Sequence, residues 1–326
     1  MKSYSVSEKQ WAEFLHKALS HYEIFAPVSR ESTVDYEEIT EDKIDQIYYD
    51  SVKPTTPLKA FYFPIKENVV SAKKQNPRLI LGAPACDLAA LDLLDKIFLD
   101  EDFLDIYYKE NRENTIVFGK DCYSFDESCH CTSYGLNPYP EKNCDVVLSH
   151  AGGNFYLQPI SLKGETFLIE MDIIEINELP AEVNDKRKTV IDGLKQQNKD
   201  LPDAKDTRIG IEKENEELWK KYAATCVSCG ACSAICPTCH CFLLIDKKNF
   251  EKIKNWDTCQ YPAFERVAAG EDPLKKLYNR LKNRYLCKFV HKPDMFDSIA
   301  CTGCGRCIDA CIGKINKNEV IIEACK

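Results

Sequence analysis

"CVSCGACSAICPTCHC" (226–241) places six cysteines in sixteen residues, and its reading decides what the last third of the chain can be. Packing alone does not call for that density of thiols. Within the stretch, Cys226, Cys229, Cys232 and Cys236 follow the spacing C-x2-C-x2-C-x3-C, and Pro237 comes next. A second stretch, "CTGCGRCIDAC" (301–311), repeats the spacing with Cys301, Cys304, Cys307 and Cys311. The duplication makes the signal specific.

This is the spacing with which bacterial ferredoxins hold 4Fe-4S clusters. Three thiolates in a short loop curl round three corners of a cubane, while the fourth, carried on the next turn, points away and reaches a neighbouring cluster. Two 4Fe-4S clusters with exchanged ligands are therefore expected: Cys226, Cys229, Cys232 and Cys311 on the first, Cys301, Cys304, Cys307 and Cys236 on the second. The two runs must then lie side by side. Gly230, Gly303 and Gly305 suit such loops, which need positive φ angles and bring backbone N–H groups close to sulfur. The competing reading is zinc held by two C-x2-C pairs, which leaves the third cysteine of each run without a role, twice.

With 326 residues the chain has room for about two domains. Its 44% hydrophobic and 29% charged residues describe a soluble protein, and a formal charge of -9 argues against general affinity for nucleic acid or anionic lipid. No apolar run reaches the roughly eighteen residues of a membrane span. The first residues, "MKSYSVSEKQWAEFLHKALSHYEIFAP" (1–27), contain no apolar segment before a small-residue cleavage site. A cytoplasmic protein is expected. In a reducing compartment its eighteen cysteines serve metals rather than a disulfide framework.

Hydrophobic spacing in "KQWAEFLHKALS" (9–20) predicts an amphipathic helix. "RLILGAPACDLAALDLLDKIFL" (78–99) reads as strand, turn and helix, with Asp87 as the helix cap. "DFLDIYYKENRE" (102–113) predicts a helix and "NTIVFGKDC" (114–122) a strand. Three further strands are expected in "DVVLSH" (145–150), "NFYLQPI" (154–160) and "TFLIEM" (166–171). The polar "QQNKDLPDAKDT" (196–207) suits a linker, and "RIGIEKENEELWKKYAATC" (208–226) a helix delivering Cys226. The fold class is thus an α+β or α/β N-terminal domain (1–205), followed by a mainly α-helical ferredoxin-like domain (206–326) with two 4Fe-4S clusters. More than sixty residues separate the two runs, and "PLKKLYNRLKNRYLCKFVHK" (273–292) suggests helices between them.

In order along the chain, "FAPVSR", "GAPACDLAALDLLD", "YYKENRENTIVFGKDC", "SCHCTSYG", the first cysteine run, "NWDTC", "NRLKNRYLCKFVHK" and "CTGCGRC" resemble one family over nearly the whole length. It is the family of iron–sulfur subunits shared by anaerobic sulfite reductase and the sulfhydrogenase-type cytoplasmic NiFe hydrogenases, where the member is the beta subunit. The resemblance implies an electron-transfer subunit, without catalysis of its own, placed between an NAD(P)H-oxidising subunit with FAD and 2Fe-2S and a catalytic subunit with siroheme or nickel–iron. It also implies an α-helical ferredoxin form for the second domain. One departure is Ile312 after Cys311, where relatives often carry proline; this affects loop shape rather than the ligand.

Cys86, Cys122, Cys129 and Cys131 form a second constellation. Cys86 and Cys122 each follow a predicted strand, and loops at neighbouring strand ends cluster in space. They read as a third 4Fe-4S site, as a zinc site in which His130 could replace one cysteine, or as packed thiols. Matching family stretches round all four favour the cluster. Cys239, Cys241 and Cys259 read as part of another metal site without a visible fourth ligand, or as thiols packed beside the clusters; Cys144, Cys287 and Cys325 read as packed thiols.

The run 275–292 holds seven Lys or Arg and no acidic residue. It reads either as compensation for cluster charge or, the favoured reading, as a docking surface for an acidic partner. No dinucleotide or triphosphate fingerprint occurs. Two other functions stay open: a flavin- or metal-dependent oxidoreductase with its own site in the N-terminal domain, and a zinc-ribbon-like interaction module.

Overall fold

A computed structural model describes residues 3–31, 33–50, 52–71, 76–169, 174–176 and 178–326. Its main sheet has eight strands: β1 (Ser3–Ser7), β2 (Glu23–Arg30), β3 (Thr33–Ile39), β5 (Arg78–Pro84), β6 (Thr115–Lys120), β7 (Val146–Ala151), β8 (Asn154–Pro159) and β9 (Ile174–Ile176). Their spatial order is β3-β2-β5-β6-β7-β8-β1-β9. The centre, from β2 through β5 and β6 to β7, is parallel, and the flanks are antiparallel. β4 (Lys66–Asn68) belongs to a second sheet described below.

Side chains alternate across the sheet, so successive residues of β5 serve opposite cores. Leu79 and Leu81 join Trp11, Leu15 and Phe167 on one face, from helices α1 (Glu8–Ala18) and α4 (Leu162–Ile169). Ile80 joins Leu88, Leu91 and Tyr108 on the other, from α2 (Ala85–Phe98) and α3 (Ile106–Glu113). Helices on both faces bury every residue of β5 and β6, and their apolar runs reflect this. The mixed α/β N-terminal region expected from the sequence is therefore present.

Four local expectations need correction. "TFLIEM" is not a strand: residues 162–169 form α4, whose first turn is capped by Ser161, with Gly164 N–H donating to its Oγ at 2.9 Å; Glu170 and Met171 lie outside the described residues. Asp87 does not cap α2, since Pro84 occupies the N-cap and Asp87 sits inside the first turn. The segment after α5 (Ala181–Gln197) folds as two helices, α6 (Ala204–Glu212) and α7 (Glu216–Ala223), not one. Finally, the mainly α-helical domain expected over 206–326 also contains a hairpin, after the short helix α8 (Ala231–Ala234); the helices expected in 273–292 are present.

That hairpin, β10 (Phe242–Asp246) and β11 (Lys252–Trp256), pairs antiparallel and adds to β4, with Lys254 opposite Glu67. Buried Lys254 bridges Glu67 and Asp105, each at 2.6 Å, which ties the hairpin to the N-terminal half. Helices do follow: α9 (Leu277–Leu286), a π-helical segment (Cys287–His291), α10 (Lys292–Phe296), the short α11 (Arg306–Asp309) and α12 (Lys317–Ala324). Trp219, Leu281, Tyr285, Phe289, Val320 and Ile321 form their common core.

Candidate iron–sulfur centres

The two cysteine runs share one backbone form. Gly230 (φ 73°) and Gly305 (φ 77°) occupy the same place in each run and cap the short helices α8 and α11. The third position of each run is also left-handed, Ser228 at φ 54° and Gly303 at φ 66°. α8 and α11 pack against each other, so the runs lie side by side as the ligand exchange requires. Their ends cross: Thr238 Oγ1, just past the first run, donates to Ala300 O at 2.7 Å, ahead of the second. Conversely, a Cβ on Gly313, just past the second run, would sit 2.3 Å from Thr225 O, ahead of the first.

Cys226, Cys229, Cys232 and Cys311 line one pocket, together with Cys307. Arg284 lines it too, donating to Cys232 O at 2.7 Å, and its Nη1 is buried without a hydrogen-bond partner among the described residues. A buried guanidinium with an orphan donor suits a negatively charged occupant. Round the second set, Cys304 and Cys307 each feel Cys236 as a charged neighbour, and Cys307 also feels Cys301. Buried Lys288 donates to Cys236 Sγ at 3.1 Å, to Thr238 Oγ1 at 2.8 Å and to Ala300 O at 2.9 Å. Burial opposes the Lys288 ammonium, but Cys236 and Cys239 outweigh it and hold its pKa above the usual lysine value.

The N-terminal quartet also converges. Pro84 of β5 pairs with Lys120 of β6, and Cys86 and Cys122 each stand two residues beyond that pair, at adjacent ends of parallel strands. Cys86, Cys122, Cys129 and Cys131 line one pocket, in company with Lys53, Gly303 and Cys304. Burial raises all four thiols, Cys122 to about 11 and Cys131 to about 12, so they would ionise only against added positive charge. Lys53 supplies some: its Nζ lies 3.6 Å from Cys129 Sγ and 2.6 Å from Asp126. His130 is not among the lining residues; its Nδ1 donates to Ser128 O at 2.7 Å and its ring packs on Tyr134.

The quartet is built onto the second run. His130 N–H donates to Gly303 O at 2.8 Å, and a Cβ on Gly303 would lie 2.5 Å from Cys131 N. Arg306, between Gly305 and Cys307, forms a buried ion pair with Asp87, the neighbour of Cys86. Arg306 and Lys53 were missed in the sequence; Arg306 stands beside Cys307, whereas nothing local marks Lys53.

The basic run is mostly turned inward. Arg280, Arg284, Lys288 and Lys292 are buried, three of them against the cysteine-bearing segment 232–240. They cannot form the docking surface favoured above, and for Arg284, Lys288 and Lys292 the charge-compensation reading fits instead. Among the described residues, no three His, Cys, Asp or Glu side chains meet at the spacing of a single metal ion.

The paired cysteine runs mark an iron–sulfur protein, and residues 225–315 match a family described as a 4Fe-4S dicluster domain. The chain is similar from end to end to sulfhydrogenase 2 subunit beta of Pyrococcus furiosus, with 28% identity over 342 residues, 99% of this chain and 98% of the other. The resemblance read from the sequence is matched on its sulfhydrogenase side, as a likeness to a beta subunit over the length of both chains. No helix of the described residues is long and apolar enough to cross a membrane.

Proposed function

We propose that this chain is an electron-transfer subunit of a hydrogenase-type complex. Cys226, Cys229, Cys232 and Cys311 would hold one 4Fe-4S cluster, Cys301, Cys304, Cys307 and Cys236 a second, and Cys86, Cys122, Cys129 and Cys131 a third. When bound, such clusters take up and release single electrons. The protein's own part is to fix the order of the sites, exclude water and balance charge.

One observation carries the reading: the side-by-side packing of the two runs, with Cys304 lining the quartet's pocket as well. The three sites then form a row, quartet, second run, first run, with no catalytic group needed between them. Arg284, Lys288 and Lys53 contribute buried positive charge along it. The relative's name, a beta subunit, supports partner subunits as such; the family resemblance implies their kinds: as donor, an NAD(P)H-oxidising subunit with FAD and 2Fe-2S, and as acceptor, a catalytic subunit with nickel–iron. A siroheme protein is the second acceptor the family resemblance allows. Domains at 1–205 and 206–326 fit this division between quartet and paired runs.

Anaerobic isolation, with iron and acid-labile sulfide counted and reducing equivalents titrated, tests the reading. At least about eight irons per chain, and one electron per cluster, are expected. Material devoid of sulfide contradicts it. Co-purifying subunits, identified by nickel or by siroheme absorption, name the acceptor.

A further inference from the structure

Cys239, Cys241 and Cys259 have no place in the three sites, yet the hairpin brings them together with Cys287. Asp257 N–H donates to Cys241 O at 2.9 Å where β10 and β11 close, so Cys259 returns beside Cys241. Gln260 Nε2 then fixes Cys259 to the start of α9, reaching Cys259 Sγ at 3.3 Å and Arg280 O at 2.8 Å. Cys287 lies on the helix that carries Arg284, Lys288 and Lys292 against this same segment. There the helix widens into a π turn over Cys287–His291, a local departure often found where a helix serves a site.

The thiols sense one another. Cys259 and Cys287 are the sulfurs that stand as charged neighbours of Cys241. Lys292 in turn faces Cys287, Cys239 and Cys241, while its Nζ donates to His240 Nδ1 at 2.6 Å. The arrangement is like the N-terminal quartet: a Cys-His-Cys tripeptide (129–131 there, 239–241 here) whose histidine is held through Nδ1, two further cysteines from other elements, and a lysine beside them.

We propose that Cys239, Cys241, Cys259 and Cys287 form a fourth iron–sulfur site, holding a 4Fe-4S cluster beside the paired runs. Four thiolates drawn from three segments suit a four-iron core, which takes one cysteine at each iron. Cys259 also feels Cys232, and Cys239 feels Cys236, so the site adjoins a ligand of each paired cluster. It gives the row a branch through the hairpin.

The test compares full-length protein, loaded anaerobically, with Cys259→Ala/Cys287→Ala and, as a control for cysteine loss alone, Cys325→Ala. The double variant is expected to lose about four irons and four sulfides, with the control unchanged. Unchanged iron in the double variant overturns the proposal, as does loss of a single zinc with iron intact. If the double variant fails to fold, native mass spectrometry of the wild type decides: about sixteen irons are expected. A count near twelve is resolved by Cys86→Ala/Cys122→Ala. If that variant still holds about twelve, the fourth site stands and the quartet reading falls; if it drops to about eight, the fourth site falls and the quartet stands. A count near eight overturns both.

Discussion

Arg306 and Asp87 join the second cysteine run to the turn that carries Cys86, in a buried bidentate pair whose Nη2 to Oδ2 distance is 2.9 Å. Both partners are otherwise satisfied: Asp87 accepts Leu58 N–H at 2.9 Å, and Arg306 Nε donates to Pro54 O at 2.9 Å. A pair this dry is stable because its geometry is complete; removing one side strands the other charge away from water. Arg306→Met is expected to cost about 3–5 kcal/mol, read as a lower midpoint in anaerobic denaturant titration. A change under about 1 kcal/mol would show that the pair does not hold the two halves together.

Gly303, with Gly305, is one of the two glycines at which the second run presses on the quartet loop. Its φ of 66° is left-handed, and a methyl there would press on the Cys131 backbone. Gly303→Ala is expected to lose iron, since the left-handed conformation costs about 1–2 kcal/mol before the clash is counted. Ser228 occupies the matching place in the first run, so Ser228→Gly should keep its full iron content. Equal iron in both variants would argue against the packing described.

Lys288 places a charged donor on Cys236 Sγ. Donors to ligand sulfur favour the reduced, more negative state. With about 1.5–3 kcal/mol for such a bond, and 59 mV per tenfold in a one-electron couple, Lys288→Met should lower one cluster's potential by about 60–130 mV. Redox titration followed by electron paramagnetic resonance reads the shift. An unmoved set of potentials would mean that Lys288 serves packing only.

The quartet has its own signature. Cys86→Ser/Cys122→Ser should release about four irons and leave the magnetic coupling of the paired clusters in the reduced spectrum intact. Iron content equal to the wild type would return these thiols to simple packing.

The paired runs were legible because ligand spacing is a local property, and the quartet because Cys86 and Cys122 close neighbouring parallel strands. What the sequence hid depends on contacts between distant segments. "FLLID" has no polar alternation to mark β10 as a strand, and the sheet's third strand, β4, is only Lys66–Asn68. Asp87 stands where a cap residue would, but its carboxylate is taken by Arg306. The basic run looks the same in sequence whether its charges face solvent or sulfur; Lys288 and Arg284 face sulfur-bearing loops. Cys287 seemed spare because the hairpin that brings Cys241 and Cys259 to it was not foreseen.

The crossed ligation of the two runs is tested most directly by an iron anomalous-difference map from crystals of the anaerobically prepared chain. The account predicts Cys311 Sγ bound to the same iron group as Cys226, Cys229 and Cys232, and Cys236 Sγ to that of Cys301, Cys304 and Cys307. Each run closing on its own iron, with Cys311 beside Cys307 and Cys236 beside Cys232, would contradict it.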